Sequence, residues 1–395
     1  MRRVAVWIAA LSLLTGATPK ITPVNYDAFG IALLHAEARA SKTDNVFISP
    51  LSVGVALAMA ADGASGATKK ALLQGLNVSS ADLANKNEAL ISALASNHDA
   101  AVGVANAIWF RNDLPPRSAY ASLLKSKYGA EAQAVQFGKP SAADAINAWT
   151  KKHTLGLIDK IVDATYPNDF AYLTNALAFQ AKWTSQFRKS DTRPAPFTDA
   201  DSTKHNVDMM TQTGTFSTLD VQTFSAIRLP YGKGGYAAYI ILPRNNDVDA
   251  VVQKLSQTGF DNMTRSLQSG RVALSLPRFT AQYDASLVPV LKTFGMAIAF
   301  SDRADFSGMH SSPPHLQLSQ VRHSAYVRVD EEGTTAAAAT SIGITTTAIE
   351  VPPKTFVVDH PFVLALRDER TGTLLFIGVI RRIPAVAASA SPSPP

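Results

Sequence analysis

The 395-residue chain contains no cysteine, which excludes disulfides, a thiolate nucleophile, thiolate metal ligands and an N-terminal lipid-modified cysteine. Its fold must be held by packing alone. The chain also lacks G-x-S-x-G, G-x-x-x-x-G-K-[ST], H-E-x-x-H and G-x-G-x-x-G, the patterns that set up a serine nucleophile, a phosphate cradle, a zinc site or a dinucleotide site. Gly63-Ala64-Ser65-Gly66 comes nearest but has the wrong spacing, so a secreted hydrolase is the weakest function class. His310 and His315, in HSSPPH, read as a polar loop and not a metal pair. Beyond the N-terminus no apolar run approaches the roughly 20 residues that span a bilayer. No Pro/Gly/Ser-rich stretch or charge run divides residues 20 to 384, so there is no linker at which to split the chain into domains.

What is present is a large apolar complement, 46% of residues, enough for one sizeable core. The formal charge of +6 comes from Lys and Arg scattered along the chain, in short pairs such as Lys69/Lys70, Lys151/Lys152 and Arg381/Arg382. That distribution reads as a solvated surface, without the basic patch that nucleic acid or another polyanion needs. Arg2 and Arg3 precede an apolar stretch from Val4 to Leu14 and the small residues Thr15, Gly16 and Ala17, the layout of a secretory signal cleaved after Ala17. The expected organisation is a signal peptide over residues 1–17, one domain over 18–384, and a disordered Ala/Ser/Pro tail over 385–395.

Periodicity orders the interior. Phe29, Leu33, Ala36 and Ala40 recur at helical spacing behind Asp27, a candidate N-cap. Ser49 and Pro50 open a second helix so apolar that it must be buried all round, and a third follows Gly66. Leu173, Asn175, Leu177, Phe179, Ala181 and Trp183 alternate by twos, as in a long strand, and Val102 to Phe110 reads likewise. Between those strands a helix is expected with Ile146, Trp149 and His153 on one side. Strands follow at Ala237–Leu242, Val272–Leu276 and Ala325–Val329, then a hairpin pairs Phe362–Leu366 with Leu374–Ile380 around Thr371 and Gly372. Helices crowd the first half and strands the second, which predicts an α+β fold.

The segment Val327–Phe362 carries the functional signal. After DEEG it runs through Thr334, Thr335, Ala336, Ala337, Ala338, Ala339 and Thr340 without a large side chain. Alanine favours helix, yet the run starts at Gly333 and continues into Ile342, Gly343, Ile344 and three threonines, which favour strand. Were it to enter a sheet, Thr334, Ala336, Ala338 and Thr340 would share one face and pass under whatever covers that face.

DEEGTTAAAAT closely resembles the hinge of inhibitory serpins. NVFISPLSVGVALAMAADGASGATKKAL, NALAFQAKW, LPYGKGGYAAYIILP, LSLPRFTAQYDASLVPVLKTFGM, FSGM, HSAYVRVDEEG, DHPFVLAL and LLFIGVI are similar to further serpin segments, in the family's order. The resemblance implies three β-sheets, about nine helices and an exposed reactive-centre loop over about 333–353, with Glu331, Glu332 and Gly333 leading into it. It implies that Ser49, Ser52, Asn175 and His323 form a polar cluster, the shutter, where the large sheet opens, and that Trp183 marks the breach, where the loop enters. Counted from Gly333, the reactive bond falls between Thr347 and Ala348, with Ile344 and Glu350 open as alternatives. With no basic or aromatic residue there, the implied targets are elastase-like or subtilisin-like serine proteases and not trypsin-like ones.

The resemblance further implies a secreted, monomeric inhibitor, extracellular or periplasmic, that forms a covalent acyl complex with a serine protease. It implies no cofactor, metal, nucleic acid or membrane. A serpin that has lost inhibition and serves as carrier, chaperone or storage protein is the alternative. The sequence departs from the family pattern at Thr335, where Glu is common, and at Leu155, where a polar residue is common.

Overall fold

The computed structural model describes residues 23–310, 316–334 and 352–385. Six helices occupy the first half: α1 (Asp27–Ala40), α2 (Pro50–Asp62), α3 (Gly66–Leu76), α4 (Leu83–Ala95), α5 (Ser118–Tyr128) and α6 (Pro140–His153). Three shorter ones, α7 (Val248–Lys254), α8 (Gln257–Ser266) and α9 (Val288–Leu291), bring the α-helices among the described residues to nine. The strands of the first half are β1 (Val46–Ile48), β2 (Ala101–Arg111), β3 (Glu131–Val135), β4 (Ala171–Lys182) and β5 (Arg193–Thr198). Then come β6 (Lys204–Asp220), β7 (Phe224–Tyr231), β8 (Tyr236–Pro243), β9 (Gln268–Pro277) and β10 (Phe279–Ser286). The last are β11 (Leu318–Val329), β12 (Gly333–Thr334), β13 (Lys354–Val357), β14 (Phe362–Asp368) and β15 (Leu374–Ile380).

One sheet of six strands runs β10-β11-β4-β2-β3, with β12 paired to the end of β4. The remaining nine strands form one hydrogen-bonded network, β1-β15-β14-β8-β7-β6-β9-β13, with β5 on β6. The expected second and third sheets are joined because the 17-residue β6 pairs with β5 and β9 along most of its length and with β7 at its end. The architecture is α+β, as expected.

α2 forms as its sequence dictates. Ser49 caps it, its hydroxyl accepting the Ser52 N–H at 3.0 Å, Pro50 opens the first turn, and every residue from Pro50 to Ala61 is buried. At α1 the cap falls elsewhere. Tyr26 holds the cap position, and Asp27 lies buried in the first turn, its carboxylate accepting the Leu374 N–H at 3.0 Å. Burial pushes the Asp27 carboxyl up to about 6 against the pull of that bond. The main core joins α1 and α2 to both sheets. A separate cluster beneath α6, including Trp109, Ile146, Tyr172 and Ala176, fixes that helix to the outer face of β2 and β4. Leu155, just past α6, takes a left-handed backbone at φ 57 and stays 42% exposed; nothing in the structure explains a leucine there.

Phe376 on β15 is fully buried and stacks on Phe47 of β1 with ring centroids 5.0 Å apart. Phe376→Ala should cost about 3–5 kcal/mol. The urea midpoint should fall accordingly, whereas Val221→Ala, at a partly exposed site, should leave it almost unchanged.

Candidate functional site

The six-stranded sheet has a seam at its centre. β11 and β4 are parallel neighbours, paired from Val321 with Leu173 up to Tyr326 with Ala178. Beyond Tyr326, β11 keeps its partner β10 but leaves the end of β4, and there β12 enters antiparallel, pairing Thr334 with Ala181 and Gly333 with Lys182. The chain reverses between β11 and β12 through Asp330, whose carboxylate accepts the N–H groups of Glu332 at 3.0 Å and Gly333 at 3.2 Å. Gly333 has φ 147, and a Cβ there would lie 2.1 Å from the Ala181 carbonyl oxygen, so only glycine fits.

Around this entry Trp183 donates its indole N–H to the Asp330 carbonyl at 2.9 Å and stacks on Tyr231 at 4.3 Å. The Trp183 backbone N–H reaches the Glu332 carbonyl at 3.0 Å. Thr334 is fully buried, its hydroxyl 2.9 Å from that of Tyr231. Burial pushes the Tyr231 phenol well up, so it stays neutral and can hydrogen-bond to the threonine. Glu331 is buried, accepting from Thr192 at 2.8 Å with Arg278 at 3.5 Å, and Glu332 pairs with Lys189 at 2.6 Å.

Eight residues down β4, about 26 Å away at strand spacing, a second polar cluster sits inside the core. Asn175 donates to Ser52 and, at 2.7 Å, to Asn106 Oδ1. His323 lies opposite Asn175 in register, its Nδ1 2.6 Å from Asn175 Oδ1, and its Nε2 accepts the Ser49 N–H at 3.2 Å. A neutral imidazole protonated at Nδ1 satisfies both contacts. Burial drives the His323 pKa down to about 3, the bond to Asn175 opposing the fall. β11, β4, β2 and the start of α2 thus meet across the seam through uncharged groups.

Sequence reasoning singled out Ser49, Ser52, Asn175 and His323, which the structure brings together, and Trp183, Glu331, Glu332, Gly333 and Thr334, which meet at the entry. Thr335, Ala336, Ala337, Ala338, Ala339, Thr340, Thr347 and Ala348 lie outside the described residues. It missed Asn106, Tyr231 and Asp330. Asn106, a lone amide within an apolar strand, was the legible signal; nothing in LPYG marks Tyr231 as a partner of Thr334. His310 Nδ1 lies 2.8 Å from the Pro115 carbonyl, and His315 is outside the described residues.

A helix-covered mixed sheet whose central parallel pair admits the first residues of an added strand defines a class of protein. The chain belongs to the serpin family: the family model for serpin (serine protease inhibitor) matches residues 24–383. It is 36% identical over 347 residues to an uncharacterized serpin-like protein of Thermococcus kodakarensis, covering 86% of this chain and 81% of that one. The native state of tengpin, a thermophilic serpin, superposes with a TM-score of 0.84 at 30% identity, covering 92% of this chain and 96% of tengpin. Human thyroxine-binding globulin superposes with a TM-score of 0.84 at 25% identity over 91% of this chain and 97% of its own. Serpins are generally protease inhibitors, and some, such as thyroxine-binding globulin, are not.

The histidine sets a pH dependence. The folded chain refuses the proton that unfolded histidine accepts near 6.5, so this contribution to stability is complete above pH 6.5 and is lost as pH falls toward 3. The limiting slope is about 1.4 kcal/mol per pH unit. The urea midpoint should drop more steeply between pH 7 and pH 5 in the wild type than in His323→Gln, and equal slopes would refute the assignment.

Proposed function

We propose that this chain inhibits a serine protease as a suicide substrate, by inserting its cleaved reactive loop into the seam between β4 and β11. The observation that carries this reading is β12: Gly333 and Thr334 already occupy the first two places of a strand whose continuation is blocked by direct β4–β11 pairing. Attack on the loop gives an acyl-enzyme. The freed segment then extends the register begun at Thr334 and Ala181, setting Ala336 opposite Phe179, Ala338 opposite Leu177 and Thr340 opposite Asn175. These even-numbered side chains point into the main core with Thr334, and their small size lets them enter. About fifteen residues at about 3.3 Å each draw the tethered protease roughly 50 Å. The driving force is backbone pairing and burial left unmade in the uncut protein, a use of stored strain known for serpin loop insertion.

The bait is the Thr347–Ala348 bond. Thr345, Thr346, Thr347 and Ala348 suit a small S1 pocket, and no Lys or Arg is present to pair with the buried acid of a trypsin-type pocket. The inhibitor acts after export, with residues 1–17 removed; no described helix is long and apolar enough to cross a membrane. A carrier role is disfavoured because the inward hinge positions hold threonine and alanine, with no bulky, charged or proline residue.

Incubation with pancreatic elastase or subtilisin should give an SDS-stable adduct and release a C-terminal peptide beginning at Ala348, with no adduct from trypsin. Cleavage in this stretch without adduct, or without a rise in thermal stability of the nicked chain, would overturn the reading. Ala336→Arg, at the next inward position, would bury an unpaired charge only on insertion, at about 3–5 kcal/mol. That penalty slows insertion more than about a hundredfold, so the variant should be cut as a substrate with the adduct lost.

A further inference from the structure

A cavity of about 410 Å³ lies between α7, α8 and the ends of β7 and β8 that pair at Phe224 and Pro243. That volume falls in the range of small-molecule sites. It belongs to the nine-stranded sheet, whereas the seam lies in the six-stranded one.

Helical spacing builds one wall. Asp247, Ala250, Val251 and Lys254 stand at i, i+3, i+4 and i+7 along α7, so all four fall on one face, and that face is turned to the cavity. Ile241 of β8 and Phe260 and Met263 of α8 are buried and close the floor. Phe260 is held by Tyr239, edge to face with ring centroids 5.4 Å apart, and by the Arg367 guanidinium 5.9 Å from its own centroid. The rim is fixed as well. Arg244 donates its backbone N–H to the Thr223 carbonyl at 3.0 Å, and His360 Nε2 lies 2.7 Å from the Pro243 carbonyl. The walls are thus set by the strands and helices that form them, before any ligand arrives.

The two charged groups of the wall differ in what they are free to do. Asp247 is committed to α7, which it caps by accepting the Ala250 N–H at 2.9 Å. Lys254, about 10 Å further along the helix, is exposed and has no hydrogen bond or ion pair among the described residues. Among those residues it is also the one cation that lines the cavity. A lysine lays its methylene stem along apolar surface and keeps its ammonium in water. A free positive charge therefore stands at the edge of an apolar cavity. The complementary molecule has an apolar body and one carboxylate at its end: an alcohol leaves the ammonium without a counter-charge, and an amine is repelled by it.

We propose that this cavity binds a small apolar monocarboxylate of the medium-chain fatty-acid class, with the acyl chain against Ile241, Phe260 and Met263 and the carboxylate on Lys254 Nζ. The site goes beyond protease inhibition and does not depend on it, since no residue that lines it belongs to the seam or the hinge.

The test titrates the uncut, full-length protein with decanoate, decanol and decylamine by calorimetry. Decanoate should bind at one site per chain with a Kd of about 0.1–1 mM, decanol more weakly and decylamine not at all. Lys254→Gln should weaken decanoate about three- to fivefold and leave decanol unchanged. Raising NaCl from about 0.1 to about 1 M should weaken decanoate on the wild type and have no effect on Lys254→Gln. Ala250→Phe, which fills the cavity from the α7 side, should abolish binding of both decanoate and decanol. Equal affinity of wild type and Lys254→Gln for decanoate overturns the proposal, as does decylamine binding as tightly as decanoate or the absence of saturable binding. Unchanged decanoate affinity in Ala250→Phe also overturns it, because the acid then sits elsewhere. Lys254→Gln, at an exposed position, decides the matter even where Ala250→Phe fails to fold.

Discussion

The seam between β4 and β11 is the constraint on which the rest of this molecule turns. Two parallel strands in the middle of a sheet pair directly over most of their length, then part beyond Ala178 of β4, and the last two places on β4 are taken by Thr334 and Gly333. Once a strand end has been seated, advancing it requires only that neighbouring hydrogen bonds exchange partners. Below those two places the β4–β11 pairing is closed.

The surroundings of the seam suit a boundary that, on the proposed function, holds and yet opens. The cross-seam contacts among His323, Asn175, Ser49 and Ser52 are neutral hydrogen bonds. A buried ion pair would leave an uncompensated charge when the strands part, at a cost of several kcal/mol. Neutral donors and acceptors can pass to the backbone and side chain of an arriving strand, and Thr340 would arrive opposite Asn175 with a hydroxyl. The charged groups are paired at the entry, Glu332 with Lys189 and the buried Glu331 with Arg278. On the proposed function, the segment that moves inward is small or neutral, and the groups that stay are charged and paired.

Much of this was legible before any coordinates. Strand β4 announced itself by alternation from Leu173 to Trp183, and α2 by its cap and its lack of a polar side, whereas the run of small residues after Thr334 lies outside the described residues. Asp27 was misassigned as a cap because its carboxylate is satisfied by Leu374, more than three hundred residues away, and local rules do not see such partners. The joining of two expected sheets through β6 escaped for a related reason, since one strand can change neighbours along its length without any change in its own pattern.

The sequence by itself determined which residues can enter a sheet and which cannot, because side-chain volume, β-branching and backbone freedom belong to each residue wherever it lies. It determined too that the chain has no cysteine and none of the nucleophile motifs named above. Only the tertiary structure decided that Gly333 presses on the Ala181 carbonyl, that Thr334 finds the hydroxyl of Tyr231, and that Lys354 meets Asp220. Those are contacts between segments far apart in the chain, and their energies depend on distance and burial, which exist only once the chain has folded.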